Sequence, residues 1–126
     1  MLAKRVLVID DEEPIQEVIQ GCLEELGGWE VLAAESGVRG IELARSQQPD
    51  GILLDVSMPG MDGFEVLQRL QADSRTQAIP IVLLTARVQP EDRARFTALT
   101  IAGVILKPFD PMELVDLVAA AFGWEV

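Results

Sequence analysis

Apolar runs of strand length recur along the chain at residues 6–9, 30–33, 51–54, 79–84 and 104–106. Between them lie segments whose apolar positions return every three to four residues: 13–26, about 37–46, about 63–72, about 91–101, and 111–122. Strand and helix therefore alternate from one end to the other. Strands separated by helices cannot pair as hairpins, so the pattern predicts a parallel sheet with right-handed crossovers and helices on both faces. Unbroken hydrophobicity in ILLD (52–55) and IVLL (81–84) suits central strands covered on both sides, whereas the mixed WEVLAA around residue 31 suits an edge. Two helix starts carry capping boxes, Asp62-Gly63-Phe64-Glu65 and Asp110-Pro111-Met112-Glu113, the second with proline at the first helical position. No linker, repeat or low-complexity tract interrupts the pattern.

At 126 residues, 49% of them hydrophobic, the chain has the size and composition of one domain around one core. No apolar run approaches the roughly 18 residues needed to span a bilayer, and MLAKRVLVI meets acids before any cleavage site of a secretory signal could follow. A soluble protein in the cytoplasm is the expectation. The lone cysteine, Cys22, sits at helical spacing among Ile15, Val18, Ile19, Leu23 and Leu26 and reads as a buried small apolar residue. A net charge of −11 argues against a phosphate-backbone partner, because nucleic-acid affinity rests on clustered Lys and Arg. The absence of histidine removes imidazole acid–base chemistry, Ser-His-Asp and Cys-His nucleophile activation and HExxH zinc sites together. Carboxylates, hydroxyls, Lys, Arg or a hard metal remain.

In open parallel sheets ligands bind at the carboxyl ends of the strands. There the chain places Asp10 and Asp11 after the first strand, Asp55 after the third, Thr85 after the fourth, and Lys107 followed by Pro108 after the fifth. Each has a structural reading alone. The acids at 10–13 could complement the positive end of the next helix, Asp55 could form a turn and Thr85 a cap, and Lys107 could snorkel from a strand end. Their joint placement is what those readings leave unexplained. Three carboxylates at one strand edge repel each other unless something positive compensates. Oxygen ligands without imidazole or thiolate select a hard divalent ion, Mg²⁺ with Mn²⁺ as a substitute. A metal, a carboxylate, a hydroxyl and an ammonium are also what a phosphoryl group needs for positioning and neutralisation, with Asp55 as the nucleophile forming an acyl phosphate.

VLVIDDE, ILLDVSMPGMDGFEVL, PIVLLTA and VILKPFDPMEL, in that order and spacing, resemble the receiver domain of two-component response regulators, and the resemblance covers nearly the whole chain. It implies a flavodoxin-like (βα)5 sandwich with a five-stranded parallel sheet of order 2-1-3-4-5. It further implies that Asp55 accepts a phosphoryl group from a histidine kinase or histidine phosphotransfer protein. Asp11 would bind Mg²⁺ directly and Asp10 through water, with Asp55 and the backbone carbonyl of Ser57 completing the ligands. Thr85 and Lys107 would hold the phosphoryl oxygens, and Pro108 would follow a possible cis peptide. Residues 1–126 are expected to be a single receiver, monomeric or weakly dimeric, without an output domain. Its output would then be altered contact with a downstream protein through about residues 91–121.

Val104 departs from the family's pattern, which commonly has Tyr or Phe three residues before the lysine, so a ring-flip readout is in doubt. Ser57 and Arg87 stand two residues after Asp55 and Thr85, where the family tunes phosphoryl lifetime, although a solvated arginine is an ordinary reading of Arg87. Three other functions compete. A haloacid-dehalogenase-like phosphatase would need an Asp where Ser57 stands. In a flavin-mononucleotide carrier, the acids at 10–13 would repel the phosphate. A pseudo-receiver would keep the fold for protein contacts and remain unphosphorylated.

Overall fold

The computed structural model describes residues 4–56, 63–85 and 101–124. In chain order these form β1 (Arg5–Ile9), α1 (Glu13–Glu25), β2 (Glu30–Ala34), α2 (Gly37–Gln47), β3 (Gly51–Asp55), α3 (Gly63–Ala72), β4 (Ile81–Thr85), β5 (Gly103–Leu106) and α4 (Pro111–Phe122). The predicted helix at about 91–101, save its last residue, and the Asp62 cap lie outside the described residues, as do Ser57 and Arg87.

All five strands pair in parallel in the order β2-β1-β3-β4-β5, the predicted flavodoxin-like topology. Successive side chains of a strand point to opposite faces, and the sheet divides its apolar residues accordingly. Val6, Val8, Leu53, Val82, Leu84 and Ile105 face α1 and α4, meeting Ile19 and Leu23 from one and Leu114 and Val118 from the other. Leu7, Ile9, Ile52, Leu54, Ile81 and Leu83 face Ile41 and Ala44 of α2 and Val66, Leu67 and Leu70 of α3. Every residue of β3 and β4 is buried, whereas β2 at the edge is exposed or half-buried at all but its last residue, as its mixed sequence predicts.

The helix ends follow local chemistry. Asp110 caps α4 by accepting from the Met112 N–H at 2.9 Å, and Ser36 caps α2 by accepting from Arg39 N–H at 3.2 Å. At the far end of α4, Gly123 takes a left-handed conformation (φ 75°) and the Trp124 N–H returns to the carbonyl of Ala119 at 2.8 Å. That turn folds the tail back over its own helix. The Trp124 ring lies 4.7 Å from Phe122 and meets Trp29 edge-on at 5.2 Å, with the Lys4 ammonium over it.

Two details differ from the sequence reading. β4 begins at Ile81 rather than at residue 79, because the chain is still turning there: Ile79 N–H donates to the Thr76 carbonyl, and the buried Thr76 hydroxyl donates to that of Leu70 at 2.6 Å. Cys22 is half-buried at the margin of the α1 core rather than enclosed in it.

Candidate functional site

The parallel register brings the ends of β1, β3, β4 and β5 to one level. Ile9 lies beside Leu54, Asp55 beside Leu84, and Thr85 beside Leu106, so the next residues out are Asp10 and Lys107. Asp10, Asp55 and Thr85 are buried there, at 0%, 1% and 3% exposure. Burying two carboxylates is costly unless they are paired. The Lys107 ammonium lies 3.1 Å from Asp10 Oδ2, 3.5 Å from Asp55 Oδ2 and 4.0 Å from Glu12 Oε1. Burial alone would lower the pKa of that ammonium, but its hydrogen bond to Asp10 and the charges of Asp55, Asp10 and Glu12 outweigh burial and hold it above the ordinary lysine value.

Local structure fixes each part. Asp10 closes a turn into α1 by accepting the Glu12 N–H on Oδ1 at 2.9 Å, which directs its other oxygen to Lys107. Lys107 is aligned by its N–H to the Thr85 carbonyl, at 2.8 Å, and the Lys107–Pro108 peptide that follows is cis. Asp55 ends a strand buried on both sides, and α3 starts hard against it. A Cβ at Gly63 would come within 2.6 Å of the Asp55 carbonyl oxygen, so only glycine permits that approach.

Carboxylate oxygens of Asp10, Asp11, Glu12 and Asp55 lie within 4.8 Å of one another. Their donor set is oxygen throughout, with neither imidazole nor thiolate, which fits a hard divalent cation such as Mg²⁺. The residues singled out from sequence thus converge: Asp10, Asp11, Asp55 and Lys107 by side chain, and Thr85 by its place at the end of the adjoining strand. Ser57 lies outside the described residues. Glu12, one of the acids at 10–13, stands within ion-pair range of Lys107. One participant had no sequence signal: Gln16, a turn into α1, reaches back to the carbonyls of Asp10 and Ala34 at 3.0 and 2.8 Å. Bonds from side chain to distant backbone follow from tertiary approach and leave no spacing to read.

Residues 6–119 match the family model of the response regulator receiver domain. The chain belongs to the response regulator receiver family. The chain is 39% identical over 115 residues to the phosphate regulon transcriptional regulatory protein PhoB of Pseudomonas aeruginosa; that match takes in 91% of the chain and 50% of PhoB, so the receiver spans about half the length of that relative. Among solved structures, chemotaxis protein CheY4 of Vibrio cholerae superposes with a TM-score of 0.88 at 30% identity, covering 95% of this receiver and 99% of CheY4. The receiver domain of sensor histidine kinase PA1611 from Pseudomonas aeruginosa gives a TM-score of 0.84 at 27% identity, over 97% of this receiver and 99% of that chain. That structure carries a magnesium ion coordinated in its active site cleft. Receivers are signalling domains. Among the described residues no helix of this one is long and apolar enough to cross a membrane.

Proposed function

We propose that this receiver accepts a phosphoryl group on Asp55 from a phosphohistidine of a histidine kinase or histidine phosphotransfer protein, and signals through altered protein–protein contact. The observation that carries the reading is the convergence of Asp10, Asp11 and Asp55 on one gap, with Lys107 3.5 Å from Asp55. In the transfer an Asp55 carboxylate oxygen forms the new O–P bond while the P–N bond breaks and its electron pair leaves with the imidazole. Charge then spreads over three equatorial oxygens, and the work of the site is to position and neutralise them. Asp10, Asp11, Asp55 and the Ser57 carbonyl are the proposed ligands of Mg²⁺, or of Mn²⁺ in its place; the ion would supply charge neutralisation at one phosphoryl oxygen. Lys107 takes a second oxygen and Thr85 a third.

Transfer to Asp55 changes the partners available to Lys107 and Thr85, which stand at the ends of β5 and β4. A downstream protein docking on about residues 91–121 would read that change as a shift between two arrangements of the surface. Val104, 37% exposed on β5, stands where an aromatic ring would otherwise serve, so the readout on this face does not depend on a tyrosine.

The test is incubation with a small-molecule phosphodonor with and without Mg²⁺, followed by intact mass of the wild type and Asp55→Asn. A Mg²⁺-dependent gain of one phosphoryl group that disappears in the variant is expected. An adduct that survives in Asp55→Asn overturns the assignment, and no adduct in either protein leaves an interaction module that is never phosphorylated. Sustained turnover of a general phosphoester would make the protein a phosphatase instead.

A further inference from the structure

Asp10 is held on every side. Its N–H donates to the Ala34 carbonyl at 3.1 Å, its Oδ1 accepts the Glu12 N–H at 2.9 Å, and its Oδ2 accepts Lys107 Nζ at 3.1 Å. Its own carbonyl oxygen is taken by a side chain, the Nε2 amide of Gln16, at 3.0 Å. The same nitrogen donates to the Ala34 carbonyl at 2.8 Å, so one half-buried amide joins the carbonyl just past β1 to the last carbonyl of β2, where the ladder between them ends. The Gln16 N–H in turn donates to the Glu12 carbonyl at 3.0 Å, which ties this amide to the first turn of α1.

We infer that Gln16 is a positioning residue for the acid cluster: it fixes the backbone of Asp10, and through it the direction in which Asp10, Asp11 and Glu12 present their carboxylates. The physical reason is that strand pairing stops at Ile9 and Ala34, while the carboxylates begin one residue later. Past that register one backbone bond remains, from the Asp10 N–H to the Ala34 carbonyl, and it leaves the carbonyl side of Asp10 to be held by a side chain. A swing there misplaces carboxylates that must converge within 4.8 Å. Two hydrogen bonds from one neutral amide hold it without adding charge to a site already rich in acids. This inference rests on the metal-assisted phosphoacceptor reading for its functional consequence, but not for its structural one.

The test compares Gln16→Met, which keeps length and charge and removes the donor, with Gln20→Met one turn further along α1, which controls for helix stability. Amide hydrogen exchange reports the backbone directly. The Glu12 N–H, bonded to Asp10 Oδ1, should exchange about tenfold faster in Gln16→Met and within about twofold of wild type in Gln20→Met, as expected for loss of one modest hydrogen-bonded restraint. Calorimetric titration with Mg²⁺ alone should show affinity about tenfold weaker in Gln16→Met, the lower end of the range by which lost outer supports weaken metal sites. Unchanged Glu12 exchange overturns the inference, and so does a fall in melting temperature with Mg²⁺ affinity intact, because Gln16 would then serve the fold alone. If the wild type takes up no Mg²⁺, the metal reading fails, and the Glu12 exchange rate still decides whether Gln16 holds Asp10.

Discussion

Two ionic clusters stand in this molecule, and they are built in opposite senses. At the carboxyl end of the sheet, among the described residues, the ammonium of Lys107 faces the carboxylates of Asp10, Asp55 and Glu12. Just beyond α3, the single carboxylate of Asp73 is gripped by two guanidinium groups, Arg45 at 2.7 Å and Arg75 at 3.0 Å, and also accepts the Arg75 N–H at 2.9 Å. The Asp73 cluster is a staple between the end of α2 and the turn before β4: its acid is satisfied several times over, and the exposed arginines carry their charge into water. At the sheet end, among the described residues, Asp10 and Asp55 are buried beside the half-buried Lys107 ammonium, and Asp11 and Glu12 bring further carboxylates to the same edge. A carboxylate gripped by two guanidinium groups is satisfied within the fold, whereas several carboxylates converging at a strand edge offer affinity for a cation that arrives from outside.

The comparison breaks most sharply at Lys107. Replacing it by Met leaves Asp10 and Asp55 buried without that ammonium, and removing one partner of a buried pair costs about 3 kcal/mol or more. Urea unfolding in metal-free buffer should show that loss, with part of it recovered on adding Mg²⁺. If Lys107→Met is as stable as the wild type without metal, the ammonium is not what makes the buried acids tolerable.

Mg²⁺ itself should come next in size. A ligand that binds only the folded state stabilises it by about 2.7 kcal/mol at about a hundredfold over its dissociation constant. Wild type should gain that amount on titration with Mg²⁺ and lose it on chelation, while Asp11→Asn gains little. The Asp73 staple should be indifferent to both treatments. A wild-type unfolding midpoint that does not move with Mg²⁺ would remove the distinction between the clusters.

How much of this was legible in the sequence follows the same division. The strands, the helices and their order follow from hydrophobic period, and the register then carries Asp10, Asp55, Thr85 and Lys107 to one edge because each is the last residue of its strand or the one just beyond it. That edge could therefore be read from residue type and position alone. The Asp73 staple could not, because Arg45 and Asp73 are 28 residues apart and nothing in their spacing predicts that α2 and the turn after α3 end side by side. Gln16 escaped for a like reason: an amide on the second turn of a helix reads as ordinary surface until the strand ends beside it are known. The start of β4 was misplaced because apolar Ile79 joins the hydrophobic run in sequence but belongs to the preceding turn in space.

The smallest expected effect lies at Asp73 and appears as a dependence on pH. Hydrogen bonds from the Arg75 side chain, then from its N–H, with a further one from Arg45, outweigh burial and hold the Asp73 carboxyl well below its ordinary value of 3.8. The folded-state pKa being depressed, the carboxylate contributes stability that is present above 3.8 and is lost as pH falls from there toward the folded-state pKa. Asp73→Asn removes that contribution, so the melting temperature of the variant should lie slightly below wild type at neutral pH and the two curves should converge in acid below 3.8. Phosphorylation of Asp55 and Mg²⁺ binding should be unchanged in the variant, since the staple touches neither. Convergence at acid pH with an intact site marks Asp73 as a structural ion pair; a change in Mg²⁺ affinity would instead connect the two clusters and end the contrast between them.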